Sequence, residues 1–208
     1  MSEYFVPAGS GEAEFVEKRS SFLGHVRFVE TEDAAREFIT EMKKKHYDAR
    51  HNCWCYIIRE GAVRYSDDGE PQGTAGLPML EVFKREGVEN VVCVVTRYFG
   101  GVLLGTGGLL RAYTKSAKDA LDAAGIAAVR RWVKLEAACP YSLLERMKTE
   151  CLALEGAVSD VEYGADVRMT FLLPEAKSGE FQARVTELSA GQSSAQAVGE
   201  ELMPVRVK

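Results

Sequence analysis

Length, composition and charge restrict the classes of protein to which this chain can belong. Its 208 residues, 46% hydrophobic and 27% charged, suit one large or two small globular domains and exclude intrinsic disorder over most of the chain. The formal net charge of −5 excludes a protein that coats nucleic acid over its whole surface, so any such contact must be local. The apolar runs are too short for a membrane helix and the acidic N-terminal segment does not look like a secretory signal, so we expect a cytoplasmic protein without a membrane partner.

The first part of the chain predicts two strands, a helix and a strand pair. Residues 12–29 alternate as two strands, and residues 52–59 and 62–66 do so as a pair. Between them, apolar residues recur at helical spacing after a polar start and before a run of lysines that suits a helix C-terminus. The predicted helix buries Ala35, Phe38, Ile39 and Met42.

The middle of the chain predicts a helix, a central strand and a second helix. Residues 74–85 form the first helix, with Pro78 in its first turn. Residues 88–97 contain a run that is apolar on both faces, which is typical of a strand covered from both sides. A glycine-rich loop then opens a helix that ends at Gly125. The predicted apolar stripe of this helix is Leu109, Leu110, Tyr113, Ala117, Ala120, Leu121 and Ala124.

The last third of the chain predicts a separate domain. Its order is strand, helix, strand, strand, helix and strand, which is the ferredoxin-like arrangement. These elements cover residues 129–138, 141–154, 157–163, 166–173, 175–188 and 202–207. We therefore expect an α+β protein with an N-terminal α/β domain over residues 1–128 and a ferredoxin-like domain over residues 129–208.

The stretch from residue 97 to residue 118 is the strongest candidate for a binding site. It contains four basic residues, five glycines and no acid, and its glycine loop leads into a helix N-terminus, where backbone N–H groups can bind a phosphate. The spacing is not that of a P-loop, and a tight strand-to-helix turn with an ordinary polar face is the alternative interpretation. The predicted anion or nucleic-acid site comprises Arg97, Gly100, Gly101, Gly105, Gly107, Gly108, Arg111 and Lys115.

We assign no catalytic or metal site to the carboxylates and cysteines elsewhere in the chain. Asp67, Asp68 and Glu70 could hold a Mg²⁺ that bridges to substrate phosphates, but this sequence also suits a tight turn. Cys53 and Cys55 are one residue apart, which is not the spacing of a zinc ribbon. We therefore predict no catalytic residue, metal, cofactor or disulfide framework.

Three long segments resemble the YigZ/IMPACT family. The resemblance covers about residues 17–125, and residues 141–144 and 163–167 are similar to the second domain of bacterial members. The matching segments are residues 50–56 (RHNCWCY), 67–78 (DDGEPQGTAGLP) and 94–113 (VVTRYFGGVLLGTGGLLRAY). They contain motif residues to which no role is assigned, namely Arg50, His51, Asp67, Asp68, Glu70 and Thr74.

The resemblance implies a fold and a process. It implies an N-terminal domain like the second domain of a small-subunit ribosomal protein and like elongation factor G domain IV, followed by a domain like elongation factor G domain V. Eukaryotic members are translation regulators that bind a large ribosome-associated activator. Together with the acid-free stretch of residues 97–118, this leads to our main hypothesis, a non-catalytic accessory or regulatory protein that binds nucleic acid or the ribosome through the glycine-rich basic loop and helix. We expect a monomer or weak homo-oligomer whose partner is the ribosome, RNA or a translation factor.

Two alternatives from other functional classes remain open at this point. One is a Mg²⁺-dependent enzyme acting on a phosphorylated small molecule or nucleotide, which rests on an analogy of fold. The other is a pure protein-interaction module that uses the same motifs as a docking face.

Overall fold

The fold is known from a computed structural model, which describes residues 3–208. It confirms the predicted α+β class, with an N-terminal α/β domain and a ferredoxin-like C-terminal domain. Two compact units are present: residues 4–129 with 204–208, called the N-terminal unit, and residues 130–203 with Glu3, called the C-terminal unit. No helix in the described part of the chain is long and apolar enough to cross a membrane.

The N-terminal unit is built on a five-stranded antiparallel sheet in the order β2-β3-β6-β4-β5. A short strand that the sequence did not predict, β1, pairs with the first residues of β7. Three helices accompany the sheet. The elements are β1 (Tyr4–Pro7), β2 (Gly11–Glu17), β3 (Ser20–Phe28), α1 (Glu32–Lys45), β4 (His51–Ile57), β5 (Val63–Ser66), α2 (Gly76–Glu86), β6 (Val91–Tyr98) and α3 (Gly105–Ala124).

The central strand β6 is covered from both sides, which confirms the prediction from its unbroken apolar run. Val91, Cys93 and Val95 pack in the core formed with α2 and α3. Val92 and Val94 face the opposite core, formed with α1. Because successive side chains of a strand point to opposite faces, both faces of this strand must be apolar.

Helix α3 buries a face slightly different from the predicted one. Leu109, Tyr113 and Ala117 are buried as expected, but Leu110 is 45% exposed. Ala112 and Ser116 are buried instead. The buried face of α3 is therefore rotated from the predicted apolar stripe, away from Leu110 and towards Ala112 and Ser116. Leu110 therefore belongs to the surface.

A buried histidine pair couples the stability of the N-terminal unit to pH. The ring centroids of His25 and His46 are 5.4 Å apart, and desolvation by burial lowers the pKa of both from the ordinary 6.5. As the pH falls below 6.5, the unfolded chain takes up protons that the folded one resists, so the free energy of unfolding falls. Urea titrations at pH 7.5 and pH 5.5 should show a lower midpoint at pH 5.5, and the decrease should be smaller in His25→Gln. Equal midpoints at both pH values in the unmodified protein would contradict this account.

The C-terminal unit has the predicted β-α-β-β-α-β order. In its sheet β7 lies between β10 and β9, and β8 pairs with β9, which is the ferredoxin-like strand order. Both helices are amphipathic and bury apolar residues such as Met147 and Phe181 in one core. The elements are β7 (Ile126–Cys139), α4 (Leu144–Ala153) after a short 3-10 turn, β8 (Ala157–Tyr163), β9 (Val167–Pro174), α5 (Glu175–Leu188) and β10 (Gln196–Arg206).

Candidate functional site

The three motif segments converge on one cleft in the N-terminal unit, although they are far apart in the sequence. Antiparallel pairing places His51 of β4 opposite Arg97 of β6, and the turn after β5 adds Glu70. The cleft has a volume of about 340 Å³, and we call it the Glu70 cleft. Its lining includes Arg50, His51, Glu70, Arg97, Phe99 and Thr106.

A buried ion pair forms the floor of this cleft. Oε1 of Glu70 accepts a hydrogen bond from Nη1 of Arg97 at 2.6 Å and another from the hydroxyl of Tyr113 at 2.8 Å. Arg97 is only 5% exposed, so its guanidinium is not part of the outer surface. Burial raises the pKa of the Tyr113 hydroxyl well above its usual range, which keeps it a hydrogen-bond donor to the carboxylate.

The three carboxylates that could have formed a Mg²⁺ site have separate structural roles. Asp67 accepts hydrogen bonds from the backbone N–H groups of Gly73, Ala75 and Gly76. Asp68 accepts from the Asn52 N–H and from the Lys43 ammonium, both at 2.7 Å. Glu70 belongs to the ion pair. Within residues 3–208 no group of three metal-ligating side chains converges, so this arrangement gives no support to a Mg²⁺ site.

The turn interpretation of residues 67–70 is confirmed. The N–H of Glu70 donates to the carbonyl of Asp67 at 2.9 Å, and Asp68 and Gly69 have φ values of 44° and 87°. Thr74 is buried, and its hydroxyl donates to the Pro71 carbonyl at 2.6 Å. The motif residues of this segment therefore hold a tight turn in place beside the cleft.

His51 and Cys53 do not form a nucleophile and base pair. Nδ1 of His51 lies 2.8 Å from the carbonyl oxygen of Asp68, and the thiol of Cys53 donates to the carbonyl of Asp67 at 3.0 Å. Burial raises the pKa of the Cys53 thiol well above its usual range, so it is not available as a thiolate. The geometry offers no activated cysteine at this position.

The glycine-rich loop crosses the end of the sheet and leads into α3. Gly100 lies so close to the turn between β2 and β3 that a Cβ there would be 2.0 Å from the carbonyl carbon of Arg19. Gly105, the first residue of α3, has a φ of 72°, which favours glycine. Gly101, Gly107 and Gly108 lie in the same loop and first turn. Among residues 3–208 no side chain caps the N-terminus of α3, so the first N–H groups of the helix are free of such a partner there.

The four basic residues of the stretch from residue 97 to residue 118, three of which were predicted as part of an anion site, are not equivalent. Lys115 pairs with Asp119 at 2.8 Å, and Lys118 pairs with Asp122 and with Glu86. The acids of these pairs lie outside the stretch from residue 97 to residue 118, which is why the sequence stretch itself contained none. Arg111 is exposed and forms no ion pair within residues 3–208. Of the four basic residues, Arg111 is thus the one that is both exposed and free of an acidic partner.

A second cleft lies on the other side of the first turn of α3. It has a volume of about 290 Å³, and Lys18, Arg111 and Lys115 line it together with Phe15; we call it the Arg111 cleft. Leu104 lines both clefts, so the two clefts are adjacent. The exposed basic side chains that line them are Lys18, Arg50, Arg111 and Lys115, which we call the basic rim; Glu17 also lines the Arg111 cleft.

Sequence reasoning missed part of this surface. Lys18 and Arg19 form the exposed turn between β2 and β3, 80 residues before the glycine loop. No local pattern in the sequence indicates that these two residues lie near the loop. A prediction that β3 pairs with β6 would have indicated it. The loop also exposes apolar side chains, with Phe99 at 40% and Leu103 at 82%.

Comparisons with known proteins cover both halves of the chain. Residues 18–121 match the model of the Impact N-terminal domain, and residues 138–192 match a domain of unknown function, DUF1949. The chain is 37% identical over 195 residues to the IMPACT family member YvyE of Bacillus subtilis (strain 168), covering 93% of this chain and 90% of that protein. It is 32% identical over 206 residues to the IMPACT family member YigZ of Escherichia coli (strain K12), covering 96% of this chain and 100% of that protein.

A solved structure supports the same relationship. It is described as the crystal structure of an hypothetical protein, is 32% identical to this chain and superposes with a TM-score of 0.60. The match covers 96% of this chain and 98% of that one. With both halves matched in order and relatives aligned over nearly their full lengths, this chain belongs to the IMPACT family.

Proposed function

We propose that this protein is a non-catalytic accessory factor that binds RNA through the basic rim. The observation that carries the proposal is the grouping of exposed cations around the start of α3, where Arg111 has no acidic partner within residues 3–208. A phosphate backbone is bound by such a group of Lys and Arg side chains, and helix N–H groups add further donors. The translation role implied by the family resemblance points to ribosomal RNA.

The charge distribution is consistent with a local contact. A chain with a net charge of −5 repels a polyanion at long range, so binding depends on a confined positive surface. Sequence-independent phosphate contacts of this kind make affinity strongly dependent on salt. The proposed contact therefore has a measurable signature, which is the slope of affinity against salt concentration.

Reversing two charges of the basic rim should weaken binding to ribosomes and to RNA. In Lys18→Glu/Arg111→Glu we expect at least about a tenfold loss of affinity and a salt slope lower by about two units, one for each phosphate contact removed. Sedimentation with ribosomes at low and high salt, and anisotropy with labelled RNA, measure both quantities. Because these side chains are exposed, the variant should fold normally.

A matched control uses cations of the same unit that lie outside the rim. Lys44 in α1 and Arg64 in β5 are both exposed, and Lys44→Glu/Arg64→Glu changes the net charge by the same amount. This variant should keep the salt slope of the unmodified protein. An equal loss of affinity in the two double variants would show that overall charge, and not the rim, governs binding, and the proposal would then be rejected.

A second candidate function is docking on a protein, and the exposed apolar residues of the loop favour it. Leu103 and Val102 protrude from the same surface, and exposed apolar side chains that lie together are typical of protein contacts. In this case Val102→Ser/Leu103→Ser should abolish comigration with ribosomes while leaving the affinity for free RNA unchanged. The RNA proposal instead expects Lys18→Glu/Arg111→Glu to lose binding to ribosomes and RNA, and Val102→Ser/Leu103→Ser to keep both.

A further inference from the structure

The Glu70 carboxylate uses only one of its two oxygens within the protein. Oε1 accepts from Arg97 and Tyr113, whereas within residues 3–208 Oε2 receives no hydrogen bond. The imidazole Nε2 of His51 lies 4.0 Å from Oε2, which is too far for a hydrogen bond between them. The Glu70 side chain is 3% exposed and lines the cleft, so a hydrogen-bond donor bound in the cleft can reach Oε2.

The tautomer of His51 determines whether its Nε2 donates or accepts a hydrogen bond beside Oε2 of Glu70. Nδ1 faces the carbonyl oxygen of Asp68, which can only accept, so Nδ1 carries the hydrogen. In the neutral ring Nε2 is then an acceptor, like Oε2 of Glu70. An NH₂ group placed between the two atoms, about 2.9 Å from each, would satisfy both, with one hydrogen for each acceptor.

The charges and walls of the cleft restrict the kind of molecule that carries this donor. Arg97 neutralises Glu70, and Arg50 adds a further positive charge at the opening, so a cationic ligand such as a lysine side chain is disfavoured. Phe99 is 40% exposed, and the guanidinium groups of Arg50 and Arg97 lie 5.7 and 5.6 Å from its ring centroid, so a planar group that stacks on this ring lies beside both cations. Thr106 and Arg50 can bind an anion at the edge of the same cleft. A planar, neutral ring with an amino group and a phosphate has these properties, and a cleft of about 340 Å³ is large enough for a small ligand.

We propose that the Glu70 cleft binds one unpaired nucleotide whose base carries an exocyclic amino group. The amino group lies between Oε2 of Glu70 and Nε2 of His51, the ring stacks on Phe99, and the phosphate faces Arg50. The exocyclic NH₂ groups of adenine, cytosine and guanine satisfy the two acceptors. Uracil has only a single N3–H, and the two carbonyl oxygens beside it would face the same acceptors. This inference rests on the proposed RNA binding in so far as the nucleotide belongs to a strand held by the basic rim.

The test compares oligo(C) with oligo(U) of equal length at fixed salt, by fluorescence anisotropy. We expect about tenfold tighter binding of oligo(C), and Phe99→Ala should remove about tenfold of that affinity. Tyr65→Ala is the matched control, because Tyr65 is an aromatic residue of the same unit, 47% exposed and outside both clefts. His51→Ala should abolish the preference for cytosine and leave the affinity for oligo(U) unchanged. Equal affinities of the unmodified protein for the two oligonucleotides, or an unchanged preference in His51→Ala, would overturn the inference.

Titration with free CMP and UMP, followed by NMR, separates this inference from the proposed function. Salt-dependent binding of oligonucleotides without any base preference, and no binding of CMP, would retain the proposed function and reject the nucleotide site. A preference for CMP over UMP that is lost in His51→Ala, with no tighter binding of oligo(C) than of CMP, would retain the nucleotide site for a free nucleotide and reject RNA as the ligand. Absence of binding by every probe would reject both.

Discussion

Replacing Glu70 with alanine is expected to lower the free energy of unfolding of the N-terminal unit by about 3–5 kcal/mol. The substitution leaves the Arg97 guanidinium, 5% exposed, without its carboxylate, and the Tyr113 hydroxyl without its acceptor. An uncompensated buried charge is among the most destabilising consequences of a single substitution. Urea unfolding measures the effect in a Trp132→Phe background, in which the fluorescence of Trp54 reports on the N-terminal unit alone.

Two controls separate the buried charge from the loss of an ordinary ion pair. Glu81 and Lys84 form an exposed pair on α2, and Glu81→Ala should cost no more than about 1 kcal/mol. The double variant Glu70→Leu/Arg97→Met removes both charges and should recover much of the stability lost in Glu70→Ala. If Glu70→Ala were as mild as Glu81→Ala, the structural account of the cleft floor would be incorrect.

The order and kind of the main elements could be predicted from periodicity, because each depends on residues close together in the chain. The two-sided apolar run of β6 specifies a covered central strand, and the glycine after α3 marks its end. Strand β1 was missed because it has only four residues, Tyr4–Pro7, and its partner in β7 is more than a hundred residues away. Short strands that depend on a distant partner leave little local pattern.

The charges of the candidate site could not be assigned from the sequence in the same way. Arg97 was predicted as part of an anion site, yet its guanidinium pairs with Glu70, 27 residues earlier in the chain, inside the unit. Lys115 and Lys118 have no acid beside them within residues 97–118. They nevertheless pair with Asp119 and Asp122, one helical turn further on. A count of charges in a window therefore gives the net charge of a segment, whereas burial and pairing decide which of those charges can reach a ligand.

Replacing Asp67 with alanine should lower the free energy of unfolding by about 2–3 kcal/mol. Its carboxylate accepts from the N–H groups of Ala75 and Gly76, at 3.0 and 2.9 Å, and so caps α2 from nine residues before Gly76, the first residue of the helix. Its other oxygen accepts from the N–H of Gly73 at 2.8 Å. Alanine would leave three backbone donors without partners, two of them on residues that are buried.

An asparagine at the same position distinguishes this cap from the loss of a metal ligand. Asp67→Asn keeps one oxygen for Ala75 and Gly76 but turns an NH₂ group towards the Gly73 N–H, so we expect about half the loss of Asp67→Ala. Asp33→Ala removes an exposed carboxylate from the first turn of α1 and should cost about 0.3–1 kcal/mol. Urea titrations with and without Mg²⁺ complete the comparison. If Mg²⁺ stabilised the unmodified protein but neither Asp67 variant, Asp67 would be a metal ligand rather than a cap, and the hypothesis of a Mg²⁺-dependent enzyme would regain its support.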